Sequence, residues 1–259
     1  MLKITNLWEK TVYTLPSQFA ITPIYEYDIS KANISILLNS GVISKEDYDY
    51  YYKLNREERQ TKIGLMQKKN PQLVKILDEG FRKARYNLCL YNELQDDEII
   101  SIKKDSLFVT RMLNNTTFGV INFKLKNVYS MMIKISNLEM FFGNINGIMN
   151  LDIKGINDDK LQYHQSSYLS MLCELFTIIQ NGQFNNIVPY ILNFINLYDT
   201  LALPVEFYRE FNQTSMYKLG WYYADNVSMS DIAQLDIRYN REFNREIYKV
   251  IAMIYFTYC

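Results

Sequence analysis

The segment Ile100-Ser-Ile-Lys-Lys-Asp105-Ser-Leu-Phe-Val109 leaves the chain few ways to fold. Two short apolar, β-prone runs, Ile99–Ile102 and Leu107–Val109, flank a polar turn of two or three residues. That pattern specifies a buried hairpin with Asp105 at its tip. A carboxylate on a rigid tip is well placed to hold a divalent cation. Asp is also a common turn residue, and taken alone this stretch favours Lys103, Lys104 and Asp105 as a solvated turn.

A second carboxylate stands upstream in Ile24-Tyr-Glu-Tyr-Asp28-Ile-Ser-Lys-Ala-Asn33-Ile-Ser-Ile-Leu-Leu38. Its first part alternates like a strand and its second has helical spacing, so Asp28 falls at a strand end leading into a helix. The alternative is that Asp28 and Ser30 only cap that helix. Residues 1–20 are expected to give a short leading strand or arm, punctuated by Pro16 and Pro23. Gly41 should end the first helix, and Ser44-Lys-Glu-Asp47 resembles a capping box. A long helix is expected over 45–69, broken by Pro71, with another from Gln72 to Asn92.

Between Lys53 and Arg85 there are ten basic residues against four acidic ones. The whole chain balances at 28 basic and 28 acidic residues, so overall charge gives no support for nucleic-acid binding, and any phosphate-binding face must be local. The same excess also suits the solvated face of surface helices.

Strands are expected at 118–123, 129–135, 138–142 and 148–153, completing a mostly antiparallel sheet. Beyond about residue 157 the pattern turns helical, with candidates at 165–180, 184–199, 204–217, 229–238 and 240–258. The fold class is therefore α+β. The division expected is an α+β domain over 1–156, with a helical insertion at about 45–92, and a helical domain over 157–259. Cys89, Cys173 and Cys259 form no paired motif, which points to a reducing compartment. The single histidine, His164, has no adjacent carboxylate pair and reads as an ordinary loop or helix-start residue. No segment approaches a membrane span, so a soluble, cytoplasmic protein is expected.

Taken in order, these segments resemble the palm and thumb portion of family B DNA polymerases. Asp28-Ile-Ser-Lys-Ala-Asn-Ile-Ser-Ile36 is similar to the first palm motif, and Arg59-Gln-Thr-Lys62-Ile63 to part of the fingers helix. Lys103-Lys104-Asp105-Ser106-Leu-Phe-Val resembles the third motif, Lys126-Asn-Val-Tyr129 the Lys-Lys-x-Tyr motif, and Asp152-Ile-Lys154-Gly155-Ile156 the entry to the thumb. The resemblance covers roughly 24–156 and implies an antiparallel palm-like sheet followed by a thumb-like helical region. It implies Asp28 and Asp105 as catalytic metal ligands, with Mg²⁺ or Mn²⁺ as cofactor. It further implies Arg59, Lys62 and Asn33 at the nucleoside triphosphate, and Lys126, Tyr129 and Lys154 at the primer/template, with replication proteins as partners in a viral setting and no membrane. Three of the motifs depart from the pattern. Lys103 replaces the first Asp of the third motif, Asn33 and Ile34 replace Tyr and Pro, and Met66 and Gln67 stand where the fingers signature continues. Lys103 beside Asp105 offers a route to an inactive, phosphate-binding relative, and an unrelated α+β interaction protein is the third reading.

Overall fold

The computed structural model describes residues 10, 12–14, 19–135, 138–145, 148–154, 165–208, 217–224, 226–228 and 230–235. It is an α+β fold built on antiparallel strand pairs. The chain forms two compact units, one of residues 1–17 and 22–129 and one of 18–21 and 130–259. The expected boundary at 156/157 thus falls inside the second unit.

In the first unit, β1 (Val12–Thr14), β2 (Phe19–Ile29, from Thr22 on), β3 (Ile99–Lys103), β4 (Ser106–Val109) and β6 (Ile121–Ile135, as far as Tyr129) lie in the order β1-β3-β4-β2-β6. The short β5 (Thr117–Phe118) pairs with the start of β6. Four helices follow β2: α1 (Ala32–Asn39), α2 (Lys45–Lys53), α3 (Arg56–Lys69) and α4 (Gln72–Tyr91). Strand alternation sends Tyr27 and Ile29 of β2 toward the helices, where they join Ile99, Ile102, Leu107 and Val109 of the hairpin. On α4, Leu73, Leu77, Phe81, Ala84 and Leu88 recur at three- and four-residue steps and bury into the same core with Ile34, Ile36 and Leu37 of α1. Each of these Leu, Ile and Phe side chains contributes about 1.5–3 kcal/mol by leaving water. Gly80 permits the close approach of α1: a Cβ there would meet Ile36 Cγ2 at 2.2 Å.

Two expectations need correction in this unit. The helix expected over 45–69 is two helices. Leu54 is extended, and Asn55 starts α3 with a capping box of its own, closed by Glu58. The two strands expected at 118–123 and 129–135 are instead a two-residue strand and one long strand, β6, so Lys124–Tyr129 lies within a strand and not in a loop. The Ser44–Asp47 capping box is present as expected, and Gly41 follows α1 at φ 67°. Pro23 lies within β2, ahead of its ladder with β4, which begins at Tyr25.

In the second unit the end of β6 pairs with β7 (Leu138–Ile145), which pairs with β8 (Ile148–Lys154). Helices α5 (Gln165–Gln180) and α6 (Ile187–Asp199) bury Leu172, Phe176, Ile179, Ile191 and Phe194 in one cluster with Met131, Ile133, Met140, Phe142 and Leu151 of these strands. This shared core is why strands and helices divide together, and not at residue 157. The helix expected over 204–217 is, in its described part, a 3₁₀ turn at Val205–Tyr208, and Tyr217 opens the small hairpin β9 (Tyr217–Leu219) and β10 (Tyr222–Ala224). Phe207 and Tyr208 pack there against Phe194 and Tyr198. The helix expected over 229–238 is, where described, a 3₁₀ turn at Ile232–Gln234. His164, Cys259 and the helix expected over 240–258 lie outside the described residues. Among the described residues, no helix is long and apolar enough to cross a membrane.

Candidate functional site

The candidate site forms where β2 ends beside the tip of the β3–β4 hairpin. Asp28 stands directly opposite Ser106, and Ser106 directly opposite Lys103. Directly opposed residues share a face, so Lys103, Ser106 and Asp28 make one transverse row. Two residues along, Ser101, Phe108 and Glu26 make the next row on that same face. The opposite face carries Tyr27, Leu107 and Ile102 into the helix-covered core. Strand alternation therefore places Asp28, Ser106 and Lys103 on the face away from the helices.

Asp105 lies at the hairpin tip, close enough for its charge to act on Asp28. Its carbonyl accepts from the Ile29 amide at 3.2 Å, which holds the tip against the end of β2. The Ser106 hydroxyl donates to Asp28 Oδ1 at 3.1 Å. Burial raises the Asp28 carboxyl above its ordinary range, and the negative charge of Asp105 raises it further. Lys126 and the Ser106 hydrogen bond oppose that rise, and Glu26 adds to it. Asp28 does not cap α1. The capping position is Lys31, in the left-handed region at φ 49°, with no side-chain hydrogen bond to the helix end.

A third carboxylate, Glu26, is 1% exposed. It accepts from Lys126 Nζ at 3.2 Å, Asn127 Nδ2 at 2.6 Å and the Tyr129 hydroxyl at 3.0 Å. Such multiple, partly charged donors are what a buried carboxylate requires. Lys126 Nζ also lies 4.0 Å from Asp28 Oδ2 and so spans the two acids. Tyr129 is buried and stacks on Phe108 at 6.5 Å between centroids. The sequence reading named Lys126 and Tyr129 but not Glu26. The signal was there, since Glu26 lies two residues before Asp28 in a strand and must share its face.

Of the residues expected at a nucleotide, Arg59 donates from Nη1 to the Leu54 carbonyl at 3.0 Å, at the α2–α3 junction. Lys31 donates to the Tyr52 carbonyl at the same junction, with its ammonium 3.3 Å from the Tyr52 ring centre. Burial, followed by the positive charges of Arg59 and Lys124, lowers the Lys31 ammonium below its ordinary value, so these three cations share one neighbourhood. Lys31 and Lys124 were not anticipated. Lys62 leans on Tyr50 instead, 5.5 Å from its ring, and a hydrogen bond with the Tyr50 hydroxyl raises its pKa. Asn33 lies in the first turn of α1, half-buried. Lys154 belongs to the second unit, where it ends β8 and pairs with Asp152 at 2.6 Å.

Arg85, counted in the basic run of the sequence, is not on a surface at all. It is 1% exposed and points at the hairpin tip, with Nη1 on the Lys104 carbonyl and Nη2 on the Lys10 carbonyl at 2.7 Å. Its place four residues after Phe81, on the buried stripe of α4, is the signal that could have placed it. Arg82 pairs with Asp78 at 2.9 Å.

Among the described residues there is no group of three or more His, Cys, Asp or Glu side chains arranged to hold a metal. The pair Asp28 and Asp105 offers hard oxygen donors of the kind that Mg²⁺ takes when water and substrate phosphates complete its shell. Residues 2–253, nearly the whole chain, match one family. The chain belongs to the bacteriophage PBS1 gene 130 protein family. That description names a phage gene product and no chemistry. No curated protein matches the chain.

Proposed function

We propose that this phage protein is a minimal polymerase-like nucleotidyltransferase that acts on a nucleic-acid primer/template in the host cytoplasm. The observation that carries the reading is the convergence of Asp28 and Asp105. They stand on separate chain segments, yet the amide next to Asp28 bonds the carbonyl of Asp105, and Asp28 pairs in register with the residue that follows Asp105. Two carboxylates presented from adjacent strands are the minimum that two-metal phosphoryl transfer asks of a protein. The resemblance to the family B palm motifs, in matching order, supports it.

Mg²⁺ or Mn²⁺ held by Asp28 and Asp105 would supply the charge stabilisation that phosphoryl transfer needs. The protein's own residues do the rest. Lys31, Arg59 and Lys124 concentrate positive charge suited to a triphosphate. Ser106 orients the Asp28 carboxylate through its hydrogen bond. Lys126, held between Glu26 and Asp28, offsets part of the repulsion between the two acids and favours the charged form of Asp28. Lys154 and further basic side chains would meet backbone phosphates, with replication proteins as partners.

One observation favours a second reading. Lys103 stands in the same row as Ser106 and Asp28, where the polymerase motif has an acid. An ammonium there suits a bound phosphate, and an inactive palm that binds nucleic acid would keep the carboxylates without the chemistry. Primer extension with Mg²⁺ or Mn²⁺ separates the two. Incorporation lost in both Asp28→Asn and Asp105→Asn supports the enzyme. Template binding without incorporation supports the inactive palm. Neither incorporation nor salt-sensitive binding would remove both readings.

A further inference from the structure

We propose that Arg85 is a positioning residue for Asp105, holding the hairpin tip in the conformation that keeps Asp105 beside Asp28; the inference rests on the metal-holding reading of that pair. Two peptide groups flank the Cα of Asp105, and each is fixed by a hydrogen bond from a different element. The carbonyl before it, on Lys104, accepts from Arg85 Nη1 of α4. The carbonyl after it, on Asp105 itself, accepts from the Ile29 amide at the end of β2. With both planes held, the Cα–Cβ bond of Asp105 has one direction, and only its side-chain torsions remain to place the carboxylate.

The tip needs this help. Lys104 sits at φ 41°, a left-handed conformation that a side chain with a Cβ disfavours. The two-residue loop between the paired Lys103 and Ser106 demands it, and such loops commonly use Gly, Asn or Asp there. A strained residue beside a functional one persists only where its surroundings over-determine it. Here one turn of α4 does so twice. Arg85 grips the Lys104 carbonyl, and Phe81, four residues earlier, lies 5.3 Å under the Lys104 ammonium. The second arm of the guanidinium, on the Lys10 carbonyl at 2.7 Å, fixes the fork in place. Lysine has no such fork, so Arg85→Lys keeps the charge and loses the grip.

A cycle of four full-length proteins tests this: wild type, Arg85→Lys, Lys104→Gly and the double variant. Glycine adopts the left-handed conformation freely, so Lys104→Gly removes the need for the clamp without touching Arg85. Two readouts apply to each protein: Mn²⁺ affinity by electron paramagnetic resonance, and hydrogen exchange of the Ile29 amide, which reports the tip with no metal present. We expect Arg85→Lys to weaken Mn²⁺ binding about tenfold and to speed Ile29 exchange about tenfold, the scale of one lost charge-assisted hydrogen bond. The double variant should recover most of both losses, which a hole in the core would not allow. Should Arg85→Lys not fold, Phe81→Leu takes its place, with a loss of about threefold expected from the missing ring face. Wild-type Ile29 exchange in folded Arg85→Lys, or no recovery in the double variant, would overturn the proposal. Loss and recovery of Ile29 protection in a protein that binds no Mn²⁺ would keep the clamp and sink the metal reading instead.

Discussion

Tyr129→Phe is the change that most sharply separates a primer-end role for this tyrosine from the role the structure gives it. The hydroxyl donates at 3.0 Å to Glu26, a carboxylate 1% exposed to solvent, and Tyr129 itself is buried. Removing the hydroxyl takes one of the three donors that Glu26 holds. A hydrogen bond to a charged, buried group is worth about 1.5–3 kcal/mol net, so the variant should lose about 2 kcal/mol of stability. The ring still fills its place against Phe108, so little of that loss can come from packing. Glu26→Gln also weakens the network, and the double variant should cost less than the sum, with a coupling of about 1–3 kcal/mol between directly bonded partners. Chemical denaturation followed by circular dichroism measures all three, with the slope checked for two-state behaviour. A coupling below about 0.5 kcal/mol, the scatter expected for independent sites, would refute the buried network. A stable Tyr129→Phe protein defective only in primer extension would restore the primer-end role.

Three further outcomes follow from particular contacts. Burial and Asp105 raise the Asp28 carboxyl above its unfolded value, so the native state binds this proton more tightly and stability contributed by the group falls as pH rises through that range. Asp28→Asn should therefore be more stable than wild type at neutral pH, with the gap closing as pH falls through the raised native range and gone below the unfolded carboxylate value of about 4, as melting curves across pH would show. Gly80→Ala should destabilise by about 1–3 kcal/mol despite alanine's better helix propensity, because the added methyl drives into Ile36; a neutral or stabilised variant in denaturant titration would contradict the α1–α4 packing. Nucleic-acid affinity, read by fluorescence anisotropy, should fall steeply with salt and weaken in Arg59→Ala and Lys124→Ala; a flat salt response would count against a phosphate-binding face.

The sequence carried the parts of the fold that local rules dictate. The hairpin over 99–109 was legible from two β-prone runs and a polar turn, and the Asp28 strand end from alternation giving way to helical spacing. The Ser44 capping box gave the start of α2. The same rule, applied to Asn55 and Glu58, would have split the 45–69 helix. The middle of β6 was obscured because Lys124, Leu125, Lys126 and Val128 are all exposed, so no two-residue rhythm marks them as a strand. At the site, Asp28 and Asp105 were legible because carboxylates at element ends stand out. Glu26 and Arg85 were not, because their meaning depends on burial. Glu26 looks like a surface charge until three donors close on it, and Arg85 looks like part of a basic run until α4 turns it inward.

The most direct test of the central claim is an equilibrium Mn²⁺ titration of the full-length protein beside Asp28→Asn and Asp105→Asn. The apposition of Asp28 and the hairpin tip carrying Asp105 predicts a site in the wild type that each substitution alone weakens at least tenfold, since each removes one of the two ligands. Undiminished binding in either folded variant, or no binding in the wild type, would contradict it.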